Sequence, residues 1–140
     1  MLDVEVFATR LAPGAPPPAE VRRLCALAAA SAGVADGHLA IEYVDSERIT
    51  RLNAEHRRRP APTDVLSFPI DGLDASETAS DGDSARPPRE LGDIVICAEH
   101  TADLREAIVH GVLHLLGMDH ETDEGEMLAL QRELLSRHTG

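Results

Sequence analysis

The chain has 140 residues, of which 43% are apolar and 2% aromatic, and it carries a formal net charge of −12. That length suits one domain with a real core, and the apolar content excludes disorder throughout. The charge argues against a protein that holds nucleic acid by bulk electrostatics.

No run approaches the roughly eighteen apolar residues of a membrane span. The N-terminal "MLDVEVFATR" lacks the basic start and apolar stretch of a signal peptide, so a cytoplasmic location is expected. Cys25 and Cys97 lie far apart in apolar contexts. They read as buried free thiols of a reducing compartment, with a disulfide the weaker reading. The charge is uneven. Residues 71–93 carry seven acids against two arginines, and residues 119–126 carry five acids and no base. Against this stands "HRRR" at 56–59, a local patch able to meet phosphate while the rest of the surface repels it.

"LDVEVFA" (2–8) alternates at period two and predicts a strand. "APGAPPP" (12–18) is a connector. Ala19 to Ala32 predicts a helix with Val21, Leu24, Cys25 and Ala28 on one stripe and Gly33 at its C-terminal cap. "HLAIEYV" (38–44) predicts a second strand. Asp45 or Ser46 can cap a short helix running to about Glu55, with Ile49 and Leu52 inward. "TDVLSFP" (63–69) predicts a third strand. Residues 70–90 are acidic, small and rich in Pro, Gly and Ser, and they predict a long mobile loop. "LGDIVICA" (91–98) predicts a fourth strand, and "TADLREAIVHGVLHLLG" (101–117) a helix closed by Gly117. Thr122 can cap a last helix through Ser136. The order β-α-β-α-β-β-α-α predicts a single α/β domain over residues 1–140. Its sheet would be four-stranded and mixed, with the histidine-bearing helix near the sheet edge.

That helix carries "HGVLHLLGMDH" (110–120). His110 and His114 are four apart, which puts both imidazoles on one helix face. Gly117 allows a sharp turn, from which His120 can face the same point. Three neutral imidazoles suit zinc and leave a fourth position open for water, the pattern of a catalytic site. A single histidine here would read as a surface or core residue of a Leu-rich helix; the spaced triple reads as a ligand set. The spacing also matches the zinc-binding stretch of metzincin proteases. There, however, a glutamate follows the first histidine as general base, and here that position is Gly111. A peptidase reading loses its base.

"HGVLHLLGMDH" resembles the signature of the YbeY family of bacterial ribosomal RNA maturation factors, which are metal-dependent endoribonucleases. "LNAEHRRRPAPTDVLSFP" (52–69) and "LGDIVIC" (91–97) resemble two further segments of that family, in the same order. The resemblance implies that His110, His114 and His120 are metal ligands for one zinc or similar ion, and that Arg57 is the arginine of the active-site cleft. Asp119 would support the ligands or cap the last helix. It also implies single-strand-specific cleavage in maturation of the 16S rRNA 3′ end and in ribosome quality control. The partners would be ribosomal RNA and the small ribosomal subunit, with no membrane and no DNA. The alternatives are a metallopeptidase-like hydrolase and a non-catalytic ribosome-assembly factor with a structural metal. Two departures bear on the cleft's shape: only twelve residues separate Cys97 from His110, fewer than the family usually has, and the 70–90 loop is longer.

RNA cleavage needs an activated nucleophile, charge stabilisation at phosphorus and a proton for the leaving group. Arg57 can pair bidentately with phosphate. Arg58 and Arg59 either guide the backbone by charge or form a solvated face. His56, His100 or a second water could act as general base, and the sequence does not choose among them.

Overall fold

The computed structural model describes residues 2–70, 90–118 and 125–139. The core of the acidic loop (71–89), Asp119, His120 and the Thr122 cap lie outside them. The elements run β1 (Leu2–Phe7), α1 (Pro18–Ser31), β2 (Gly37–Val44), α2 (Ser46–Arg57), β3 (Val65–Pro69), β4 (Glu90–Cys97), α3 (Leu104–Leu115) and α4 (Glu126–Thr139). This is the predicted order. The strands form one mixed sheet in the order β1-β2-β4-β3. β1, β2 and β4 are parallel neighbours, and β3 pairs antiparallel with β4 at the edge.

Period two decides the faces. Val4 of β1, Leu39, Ile41 and Tyr43 of β2, and Ile94 and Ile96 of β4 are buried in one cluster with α1, α3 and α4. From α1 that cluster takes Val21, Leu24, Cys25 and Ala28, the stripe read from helical spacing. Pro18 opens α1, where a missing N–H costs nothing, and Gly33 follows it at φ 78°. Among the described residues, the opposite sheet face is covered by α2. Ile49 packs there with Val44, Leu66, Val95 and Cys97. Beyond α2, Asp3, Glu5, Glu42 and Asp93 are exposed, and Phe7 is 48% exposed beside them. His38 of β2 sits on this face between Glu5 of β1 (2.6 Å) and Glu90 of β4 (2.8 Å), and the two carboxylates, Glu90 first, raise its pKa. Both thiols are free and buried; burial pushes Cys25 up to about 12.

Most boundaries shift by a residue or more from the sequence reading, and three of the shifts have a visible cause. α3 begins at Leu104 rather than Thr101, because the Asp103 carboxylate accepts from the N–H groups of both Arg105 and Glu106 (3.0 and 3.2 Å). Thr101 instead donates its hydroxyl to the Cys97 carbonyl at 2.6 Å. β3 begins at Val65, since Asp64 turns its side chain back to accept from the Val65 N–H at 2.8 Å. α2 runs two residues past Glu55, and Arg58 closes it in the left-handed conformation (φ 58°, ψ 31°).

One polar cluster joins three helices. Glu20 in the first turn of α1 pairs with Arg105 in the first turn of α3 and with His138 in the last turn of α4. The Arg105 hydrogen bond, then that of His138, lowers Glu20 from 4.5 to about 2. A depressed carboxylate contributes stability above its unfolded pKa and loses it as pH falls through the folded value. The cluster should therefore weaken between about pH 4.5 and 2. Urea melts at stepped pH should show the parent losing more stability than Glu20→Gln over that window; parallel curves would mean the cluster contributes nothing.

Candidate active site

α3 carries His110 and His114 one turn apart, both half-buried. Their rings lie 4.7 Å apart at 75°, and their Nε2 atoms are 3.1 Å from each other. His110 Nδ1 is 2.9 Å from Oε1 of Gln131, a buried residue of α4. At its C-terminus α3 ends in a Schellman turn. Met118 N–H donates to Leu113 O (3.1 Å) and Gly117 N–H to His114 O (3.0 Å), with Gly117 at φ 97°. The expected break after Gly117 is therefore present. Asp119 and His120 follow it, outside the described residues.

The helix is held close against the sheet. Ser67 of β3 donates its hydroxyl to the Gly111 carbonyl at 3.1 Å. A Cβ added at Gly111 would lie 2.7 Å from Ile94 Cγ2. Gly111 is thus where the backbone of α3 meets β4, and its direction is toward the core. A glutamate there, the base of the peptidase pattern, would run into Ile94. Gly111→Ala should destabilise the fold by about 1–2 kcal/mol, because overpacking a full core outweighs the ~1 kcal/mol helix-propensity gain of alanine. Chemical denaturation that finds a more stable variant would contradict this.

Across β3 from the histidines is the C-terminal end of α2. Asn53 is buried there. Its carbonyl accepts from the backbone N–H groups of Arg58 and Arg59, and its side-chain amide donates to Ala61 O at 2.8 Å. This folds "RRRPA" tightly back on α2 and fixes where each arginine leaves the chain. The result is selective. His56, Arg57, Thr63 and Asp64 line a cleft of about 210 Å³ together with His110 and His114, whereas Arg58 and Arg59 are exposed outside its lining. His56 stacks at a tilt on Phe68, with ring centroids 4.6 Å apart. His100, the other candidate base, is placed elsewhere. Its Nε2 lies 2.9 Å from the Ser46 hydroxyl, at the opposite end of α2 and about 16 Å along the helix from Arg57.

The spacing of the two Nε2 atoms suits two ligands of one metal ion, and no third His, Cys, Asp or Glu donor joins them among the described residues. Tetrahedral zinc with N ligands at 2.0–2.1 Å requires ligand nitrogens about 3.3 Å apart. The two Nε2 atoms, at 3.1 Å, already lie near that spacing. Sequence reasoning missed Gln131, Asn53 and Ser67. For the first two a signal existed: each is a polar residue on the buried stripe of its helix, Gln131 between Met127 and Leu134, and Asn53 one turn after Ile49.

Fold and cleft together define an α/β protein with a helix-borne histidine pair facing an arginine at a sheet edge. The chain belongs to the endoribonuclease YbeY family, whose model matches residues 18–139. It is 38% identical to the endoribonuclease YbeY of Bacillus cytotoxicus, over 82% of each chain. To that of Alkalilimnicola ehrlichii it is 40% identical, over 96% of this chain and 86% of the relative. A solution structure from Thermotoga maritima shares the fold, with a TM-score of 0.53 at 21% identity, covering 99% of this chain and 89% of that one. No helix among the described residues is long and apolar enough to cross a membrane.

Proposed function

We propose that this protein is a zinc-dependent, single-strand-specific endoribonuclease. Its substrate is ribosomal RNA, its partner the small ribosomal subunit in the cytoplasm, and its task maturation of the 16S rRNA 3′ end and ribosome quality control. The observation that carries the reading is the placement of Arg57 on the same cleft as the near-touching Nε2 atoms of His110 and His114. Family membership, with relatives named as endoribonucleases, supports the RNA substrate.

In this reading His110, His114 and His120 hold the metal. When bound, zinc supplies Lewis acidity at a phosphoryl oxygen and an activated water. Arg57 orients the scissile phosphate and stabilises charge that grows on it, through the guanidinium fork. Asp64 and His56 are the proton-handling groups that the cleft offers beside Arg57; His100 is too far away. Asp119 supports the ligands from beyond the Schellman turn. Arg58 and Arg59, outside the cleft lining, act on RNA through charge alone. The peptidase alternative loses ground because Gly111 faces Ile94 and leaves no space for its base.

Metal analysis combined with a cleavage assay on a structured 16S rRNA precursor tests this. Cleavage should occur in single-stranded segments, stop with chelator and return with zinc. Chelator-insensitive cleavage would remove the metal from the mechanism. Stoichiometric zinc without any cleavage would favour a non-catalytic assembly factor.

A further inference from the structure

We propose that Gln131 of α4 is a positioning residue that sets the tautomer of His110 and, through it, the affinity of the histidine pair for zinc. The inference deepens the metal reading above and rests on it. A neutral imidazole carries one N–H, and the partner of one ring nitrogen decides which nitrogen is left with a lone pair. Gln131 presents Oε1 to His110 Nδ1 at 2.9 Å. A carbonyl oxygen can only accept, so the proton resides on Nδ1 and the Nε2 lone pair is left facing His114 Nε2 at 3.1 Å.

The placement of Gln131 is constrained. It is 4% exposed, while Met127 and Leu134, a turn away on either side, are 0% exposed. The end of α4 is tied through His138 to Glu20 on α1. The carboxamide is therefore delivered from a separate helix that is fixed in the core on both sides of it. A buried polar side chain in such a stripe costs stability unless it is hydrogen-bonded, and here its bond is to the histidine. Holding the ring in one orientation with the correct nitrogen free removes an ordering step from metal binding.

The test uses the full chain with Gln131→Leu and Gln131→Met, which remove the acceptor at similar volume, and Gln131→Glu, which keeps it. Two readouts are independent of activity. The first is the His110 tautomer in metal-free protein at pH 8, from long-range ¹H–¹⁵N correlation of the ring. The parent and Gln131→Glu should show the proton on Nδ1, and the apolar variants should lose that preference. The second is zinc affinity by chelator competition. It should weaken about 10- to 100-fold in both apolar variants and recover in Gln131→Glu, while metal-free melting temperatures stay close to the parent's. A parent with its proton on Nε2, or apolar variants that bind zinc within twofold of the parent, would overturn the proposal. A parent that binds no zinc would overturn the metal reading instead, and the ring spectrum would still decide the tautomer.

Discussion

His114→Ala should abolish metal binding and RNA cleavage together while leaving a folded protein. The histidine projects from the last turn of α3, and the inward face of the same helix (Ile108, Val112, Leu115) is buried independently of it. Truncation removes one Nε2 of the pair and leaves the proposed ligand set incomplete. The stability consequence follows from mass action. Zinc at one hundred times its Kd stabilises the native state by about 2.7 kcal/mol, which for a chain of this size is roughly 10 °C in Tm. The parent should show that rise on adding zinc, and His114→Ala should show none, with similar metal-free melting. Full metal occupancy in the variant would end the ligand assignment.

The second large effect concerns Arg57. Its side chain is exposed and lines the cleft from the last residue of α2, outside both core clusters of the described residues. Arg57→Ala should keep its zinc and melt within about 0.5 kcal/mol of the parent, as surface changes usually do. Cleavage should fall on the order of 10² to 10³-fold, the usual loss when a charged donor to the transition state is removed. Arg57→Lys should recover only part, since an ammonium cannot reproduce the bidentate fork. Arg58→Ala and Arg59→Ala should change mainly the salt dependence of RNA binding. Equal, small effects from all three arginines would reduce "HRRR" to a solvated turn.

Why Arg57 and not its neighbours lines the cleft was not legible in the sequence. Three adjacent arginines are chemically equal on paper. They are separated by the left-handed turn at Arg58 and by the hydrogen bonds of Asn53, and although Asn53 lies on the Ile49 stripe, nothing in the letters says that it ties the turn back on the helix. For Gln131 the inward stripe of α4, set by Met127 and Leu134, could be read, but that it meets His110 there depends on where α3 lies. The histidine pair was legible because its meaning is local. Two residues four apart on a helix meet regardless of what surrounds the helix. The strands and the α1 stripe were legible on the same ground, since their periodicity reports burial directly. Gly111 lay between these cases. Its lack of a base could be read from the letter alone, but its close approach to Ile94 is a distance between two elements far apart in the chain.

The acidic face of the sheet beyond α2 bears on how quickly an RNA strand can find the cleft. Asp3, Glu5, Glu42 and Asp93 belong to a chain of net charge −12, so at long range a polyanion is turned away. The attraction of the arginine turn is short-ranged and is felt only after approach. At about 0.01 M ionic strength the screening length is near 30 Å and repulsion governs the approach; at about 0.15 M it is near 8 Å, and an approaching strand senses little beyond the surface it meets. Encounter should therefore be slow in dilute buffer, quicken as salt rises toward physiological strength, and slow again once the arginine contacts are screened. Most RNA-binding surfaces only lose speed as salt is added. Here a maximum at intermediate salt would be the kinetic signature of a small cationic landing point on an otherwise anionic body.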